Sequence, residues 1–136
     1  METSLEIIVR STEIDFLGHV NNARYIEYLE WGREDWYNKA GCTFDEMREQ
    51  GIGTVVVNIN MDYYAPCYRG DLLVIKTRPV KVGNSSYIMQ QEILKIKPAV
   101  KAGEARVTIA FIDIKTGKSR PVPLDLLKPL AVMKGE

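Results

Sequence analysis

Two periods of hydrophobic spacing divide this chain. Near its start, "LEIIVR" (5–10) is a short apolar run with β-branched residues that passes into a polar turn, which predicts a strand. From Asn22 the period lengthens. Ile26, Leu29, Trp36 and Ala40 recur at helical steps, Gly32 fills the intermediate turn, and Glu27, Glu30 and Glu34 take the other side. This spacing predicts a helix over 22–40 with one buried face, ending near Gly41. Such a helix is roughly 28 Å long at about 1.5 Å per residue. "FDEMREQG" (44–51) predicts a short helical turn ending in glycine.

The period then changes to two. Val55, Val57, Ile59, Met61 and Tyr63 alternate with Thr54, Val56, Asn58, Asn60 and Asp62, as in a half-buried strand. "LLVIKTRPVKV" (72–82), "YIMQQEILKIK" (87–97) and the later part of "PAVKAGEARVTIAFIDI" (98–114) predict three more strands. Turns are expected at "RGD" (69–71), "GNSS" (83–86) and "KTGKS" (115–119), and a terminal helix interrupted by Pro129 over "PLDLLKPLAVM" (123–133). Short connections imply antiparallel neighbours, because parallel strands need a long crossover. The single long helix must bury its face, and the sheet's apolar face is the available partner. The expected class is α+β, a curved antiparallel sheet wrapped around one long central helix.

Composition narrows the reading. The 136 residues are the size of one domain, and no repeat, low-complexity tract or linker divides 1–136. Lys plus Arg and Asp plus Glu are 18 each, so a nucleic-acid binder relying on bulk positive charge is not expected. Cys42 and Cys67 have no metal-ligand spacing and are expected as free thiols in a reducing compartment. "METSLEIIVR" lacks a signal pattern, and no apolar run approaches the ~20 residues of a membrane span. A soluble, cytoplasmic protein is expected.

The densest chemistry lies in "DFLGHVNNARYIEYLEW" (15–31), where an acid, a glycine, the only histidine and two asparagines crowd the mouth of the helix. A carboxylate there either acts on a carbonyl or stabilises the turn and helix start. The first N–H groups of a helix lack internal partners and make a preorganised site for negative charge. Gly18 allows close approach of a ligand or serves a plain turn. Asn21 and Asn22 are both good caps, so one is expected to cap and the other to be free. His19 either tunes Asp15 or is structural. A metal is not expected with one histidine and no clustered thiolates.

"TEIDFLGHVNNARYIEYLEWGREDW" resembles the 4-hydroxybenzoyl-CoA thioesterase-like branch of the hotdog superfamily, through Asp15, Gly18, Val20 and Tyr25. "HVNN" followed by "YI" also resembles acyl-carrier-protein thioesterases. The chain departs from relatives that place a histidine just inside the helix; Asn22 stands there and His19 comes earlier. The resemblance implies a hotdog fold and hydrolysis of an acyl-CoA or acyl-carrier-protein thioester. Asp15 would be nucleophile or general base, with Gly18, His19 and Asn22 assisting and Val20, Asn21 and Tyr25 lining the substrate. It further implies contacts from Asn84, Ser85 and Ser86 to the pantetheine arm or nucleotide, with Lys76, Arg78 and Lys81 near phosphates. No cofactor is implied, since CoA is part of the substrate. A homo-oligomer, either a dimer or a dimer of dimers, is implied, with the active site between protomers and an apolar channel whose candidates include Met61, Tyr63 and Tyr64. Glu27 and Glu30 read as a solvated stripe, and Tyr28, Trp31 and Trp36 as packing. A dehydratase of this fold fits the motif poorly. A non-catalytic acyl-thioester sensor remains an alternative, though there is no spare segment for a DNA-binding appendage.

Overall fold

A computed structural model describes residues 1–134. The chain runs β1 (Thr3–Ile8), α1 (Asn22–Ala40), α2 (Phe44–Glu49), β2 (Ile52–Tyr63), β3 (Leu72–Val82), β4 (Ser86–Lys95), β5 (Val100–Asp113) and α3 (Lys128–Lys134). The strands form one antiparallel sheet in the order β1-β3-β4-β5-β2, with α1 packed on β1, β3 and β4. This is the expected α+β arrangement of a sheet around one long helix.

Local signals place α1 at its expected bounds. Asn21 Oδ1 accepts the Ala23 N–H at the N-cap, and Gly41 closes the helix in the left-handed region at φ 98°. β1 lies two residues earlier than expected, because Arg10 turns the chain: its N–H donates to Glu13 Oε1 across a short 3-10 turn, Ser11–Glu13. Pro129 does not interrupt α3. It occupies the second position of that helix, where a missing N–H costs no internal bond.

The buried side of α1 differs from the aliphatic stripe. Tyr25, Tyr28, Leu29, Gly32, Arg33, Trp36 and Tyr37 are buried, whereas Ile26 and Ala40 are half-buried and Trp31 is partly exposed. Polar tips can enter this core because each finds a partner. The Tyr28 hydroxyl donates to buried Glu13 at 2.7 Å, the Tyr37 and Tyr87 hydroxyls bond each other, and Arg33 Nη1 donates to Gln91 Oε1 at 3.1 Å. Gln91 Nε2 in turn donates to the Leu29 carbonyl and to Thr77 Oγ1, both at 2.9 Å.

β2 corrects the expected alternation. Val56 pairs with Ile109 but Asn58 pairs with Thr108, so Val57 is an extra residue in a bulge. Before the bulge Thr54 and Val56 sit opposite buried Phe111 and Ile109; after it Ile59 and Met61 sit opposite buried Val107 and Ala105. The inward positions therefore switch from even to odd numbers. Val55 and Val57 do not continue the face of Ile59, and all of Val55–Val57 are exposed on the edge strand.

Gly32 marks the closest approach of α1 to the sheet. A Cβ there would meet Ile75 Cγ2 at 2.7 Å, Thr77 Oγ1 at 2.9 Å and Gln91 Nε2 at 3.0 Å. Gly32→Ala gains about 1 kcal/mol of helix propensity but overpacks this contact, which costs about 1–3 kcal/mol. Urea unfolding is expected to show a net loss on the order of 1 kcal/mol. Burial also pushes the hydroxyl pKa values of Tyr25, Tyr28, Tyr37 and Tyr87 above the usual 10. Above that pH the native state holds protons that the unfolded state has lost, so stability is intact below about pH 10 and falls as pH rises past it. Unfolding midpoints measured from about pH 8 to about pH 11 are expected to fall only in the upper part of that range.

Candidate active site

The stretch from Glu13 to Asn21 folds back on itself at the base of α1. Ile14 and Val20 form an antiparallel bridge, Asp15 N–H donates to the His19 carbonyl at 2.7 Å, and Asn21 N–H donates to the Glu13 carbonyl at 2.9 Å. Phe16 and Leu17 form the exposed tip. Gly18 N–H closes the turn on the Asp15 carbonyl at 3.0 Å with φ 85°, a conformation that favours glycine. The Asp15 carboxylate is oriented from its own loop. Its Oδ1 accepts from Leu17 N–H at 2.9 Å and His19 N–H at 3.3 Å, while Oδ2 accepts no hydrogen bond among the described residues.

Asp15 lines a pocket of about 550 Å³ together with His19, Val20, Asn21, Asn22 and Tyr25. The opposite wall is Tyr63, Tyr64, Ala65 and Pro66. Tyr63, at the end of β2, donates its hydroxyl to the Asn22 carbonyl at 3.3 Å and packs edge-on against Tyr25, with centroids 5.2 Å apart. Tyr25 is buried and its hydroxyl donates to the Ala65 carbonyl at 3.3 Å. Burial pushes its pKa up, so it remains a neutral hydrogen-bond donor.

The backbone donors are fewer than the sequence alone suggests. The N–H groups of Gly18, His19 and Val20 are committed to the Asp15 carbonyl, Asp15 Oδ1 and the Cys67 carbonyl respectively. Ala23 N–H is taken by the Asn21 cap. Among the described residues the Asn22 N–H has no acceptor, and it opens α1 at the pocket. The two asparagines divide as expected: Asn21 caps, and the Asn22 side chain makes no hydrogen bond among the described residues. His19 touches Asp15 only through its backbone; its ring lies edge-on to Tyr68 at 5.2 Å.

Asn84, Ser85 and Ser86 are not brought to this pocket within one protomer. Ser86 pairs with Ala110 on β5, whereas Tyr63 pairs with Gly103, seven residues away along that strand and roughly 23 Å at about 3.3 Å per residue. Ala65 and Pro66 were not anticipated, since a connecting segment carries no periodic signal. Buried Glu13, which holds Tyr28 behind the loop, gave no sign either. No group of three or more His, Cys, Asp or Glu suited to a metal occurs among the described residues.

The arrangement sets a held carboxylate beside a free helix-terminal N–H, which suits attack on a carbonyl with stabilisation of its developing negative charge. Comparison with known proteins agrees with that chemistry. Residues 9–130 match the thioesterase-like superfamily. The long-chain acyl-CoA thioesterase FadM of Escherichia coli is 35% identical over 128 residues, covering 94% of this chain and 96% of FadM. The chloroplastic acyl-acyl carrier protein thioesterase ATL2 of Arabidopsis thaliana is 28% identical over 116 residues, which is 85% of this chain and 62% of that protein. A probable thioesterase from Bartonella henselae superposes with a TM-score of 0.84 at 28% identity, covering 90% of this chain and 100% of that one. The chain belongs to the thioesterase-like superfamily, has its hotdog fold, and is a thioester hydrolase.

Proposed function

We propose that the protein hydrolyses fatty-acyl-CoA to free acid and CoA, with Asp15 as the group that attacks or activates the attacking water. The observation that carries this reading is the Asp15 carboxylate, fixed by two backbone N–H groups, lining the same pocket as the free Asn22 N–H. The thioester carbonyl oxygen points to the Asn22 N–H at the positive end of α1. Asp15 either adds to the carbonyl carbon or takes a proton from water that does so. The thiolate then leaves without needing a strong acid. Val20, Tyr25, Tyr63 and Pro66 give the acyl group an apolar and aromatic wall. His19 and Asn21 act from behind, by shaping the loop and capping the helix. The 35% identity to FadM over 94% of this chain supports a fatty acyl group over an aromatic one. The match to ATL2 supports a second reading, in which the acyl group arrives on a carrier protein.

The protein acts as a homo-oligomer built on β2. This strand is a sheet edge of twelve residues, with Val55, Val56 and Val57 exposed and one row of backbone groups unpaired. Pairing it with a second copy extends the sheet and places another protomer along the pocket wall that begins at Tyr63.

Asp15→Asn is expected to lower kcat on the order of 10²–10⁴-fold while the protein stays folded and associated. Thiol release from acyl-CoA esters of several chain lengths, with matched carrier-protein esters alongside, measures this. Retained activity would remove Asp15 from the mechanism, and binding without turnover by the unaltered chain would favour the sensor reading. Val57→Lys places a charge on the exposed edge at a residue 58% accessible, where the protomer's own fold tolerates it. Light scattering is expected to show dissociation, with activity lost in parallel; a fully active monomer would overturn the shared-site reading.

A further inference from the structure

The inward positions of β4 are Tyr87, Met89, Gln91 and Ile93, and then Lys95, whose side chain is only 9% exposed. An ammonium group so placed needs acceptors to offset its lost hydration. It finds them all on one segment, the crossover between β2 and β3. Lys95 Nζ donates to the Pro66 carbonyl at 3.0 Å, lies 3.4 Å from Asp71 Oδ2, and sits over the Tyr68 ring at 5.1 Å from its centroid. Asp71 Oδ2 also accepts the Tyr68 N–H at 2.8 Å, so cation and carboxylate clamp the same turn.

The same segment carries Ala65 and Pro66 of the far pocket wall and is fastened to the near wall at three points. The Ala65 carbonyl accepts the Tyr25 hydroxyl at 3.3 Å, the Cys67 carbonyl accepts the Val20 N–H at 2.8 Å, and Tyr68 bridges His19 through backbone and ring. His19 N–H reaches Asp15 Oδ1. We propose that Lys95 is a positioning residue of the hydrolytic site, setting the gap between the Asp15 loop and the 65–68 segment behind the far wall through Pro66, Tyr68 and His19. The assignment rests on the reading of this pocket as the thioesterase site. It concerns placement, since Lys95 does not line the pocket.

The test uses the full chain and two substitutions. Lys95→Met keeps an apolar stem without the cation, and Lys95→Arg restores a cation that reaches the same acceptors. Misplacement of reacting groups lowers turnover more than ground-state binding, so Lys95→Met is expected to lower kcat about tenfold with KM within about threefold of the unaltered chain. Lys95→Arg should recover most of the loss. A readout independent of activity comes from His19, the chain's only histidine. Its single set of imidazole proton resonances is expected to shift in Lys95→Met, without substrate, and to return in Lys95→Arg. An unmoved His19 resonance, a kcat within about twofold of the unaltered chain, or a loss that Arg does not rescue would each overturn the proposal. If the unaltered chain hydrolyses no thioester, the function reading fails, and the His19 resonances still decide what Lys95 positions.

Discussion

The seating of α1 on the inner face of the sheet is the contact on which the rest of the molecule depends. Gly32 has no side chain, so the helix backbone settles directly over Ile75, Thr77 and Gln91. Apolar contact alone would tolerate sliding along the sheet. Gln91 limits it, because its amide reaches the Leu29 carbonyl, Thr77 and Arg33 at once. Buried polar groups that are satisfied in only one arrangement specify that arrangement. The N-terminal end of α1 therefore emerges at a fixed place, beside the loop that carries Asp15.

From there the site is held by closing off alternatives. Glu13 is buried behind the loop and accepts both the Tyr28 hydroxyl and the Arg10 N–H, tying the loop to the core and to the end of β1. Every backbone amide from Gly18 to Asn21 is bonded to its surroundings, which, among the described residues, leaves the Asn22 N–H as the free donor at the helix mouth. A donor already aimed before substrate arrives costs no reorganisation when charge develops, and this is the usual source of a large electrostatic contribution to catalysis. A loop with several free amides would offer more donors but would hold none of them as firmly.

What was legible in the sequence was mostly local. The bounds of α1 were readable because Asn21 and Gly41 are cap residues acting within a turn of themselves. The span of β3 was readable from its apolar run between turns. The face of β2 was not, because a bulge is decided by register against β5, and nothing at Val57 announces it. Tyr28 was legible as a packing residue, but its burial depends on Glu13, and that of Tyr37, which no pattern singled out, on Tyr87, partners remote in sequence. The site divides the same way. Asp15 to Tyr25 is one contiguous stretch and could be read as a unit. Its opposite wall comes from a connecting segment some forty residues later, and the lysine behind that wall from a further strand. The pairing of a polar residue with its distant acceptor has no signature in spacing.

The bulge in β2 also bears on why the pocket lies where it does. Without the bulge, with Val57 paired opposite Thr108, the inward face set by Thr54 and Val56 would continue through even positions, and Asn58, Asn60 and Asp62 would point toward α1. With it, Ile59, Met61 and Tyr63 turn inward, and Tyr63 reaches the Asn22 carbonyl and Tyr25. One inserted residue thus converts a polar strand end into the aromatic wall of the pocket. It also twists the edge that carries Val55–Val57, and bulges of this kind ordinarily protect an edge from pairing. Here the valines on that edge are exposed, and equal numbers of acidic and basic residues leave no net repulsion between copies. Val55 to Val57 carry no charge, which suits the partner strand proposed above, so the residue that shapes the pocket wall and the proposed pairing surface belong to the same irregularity.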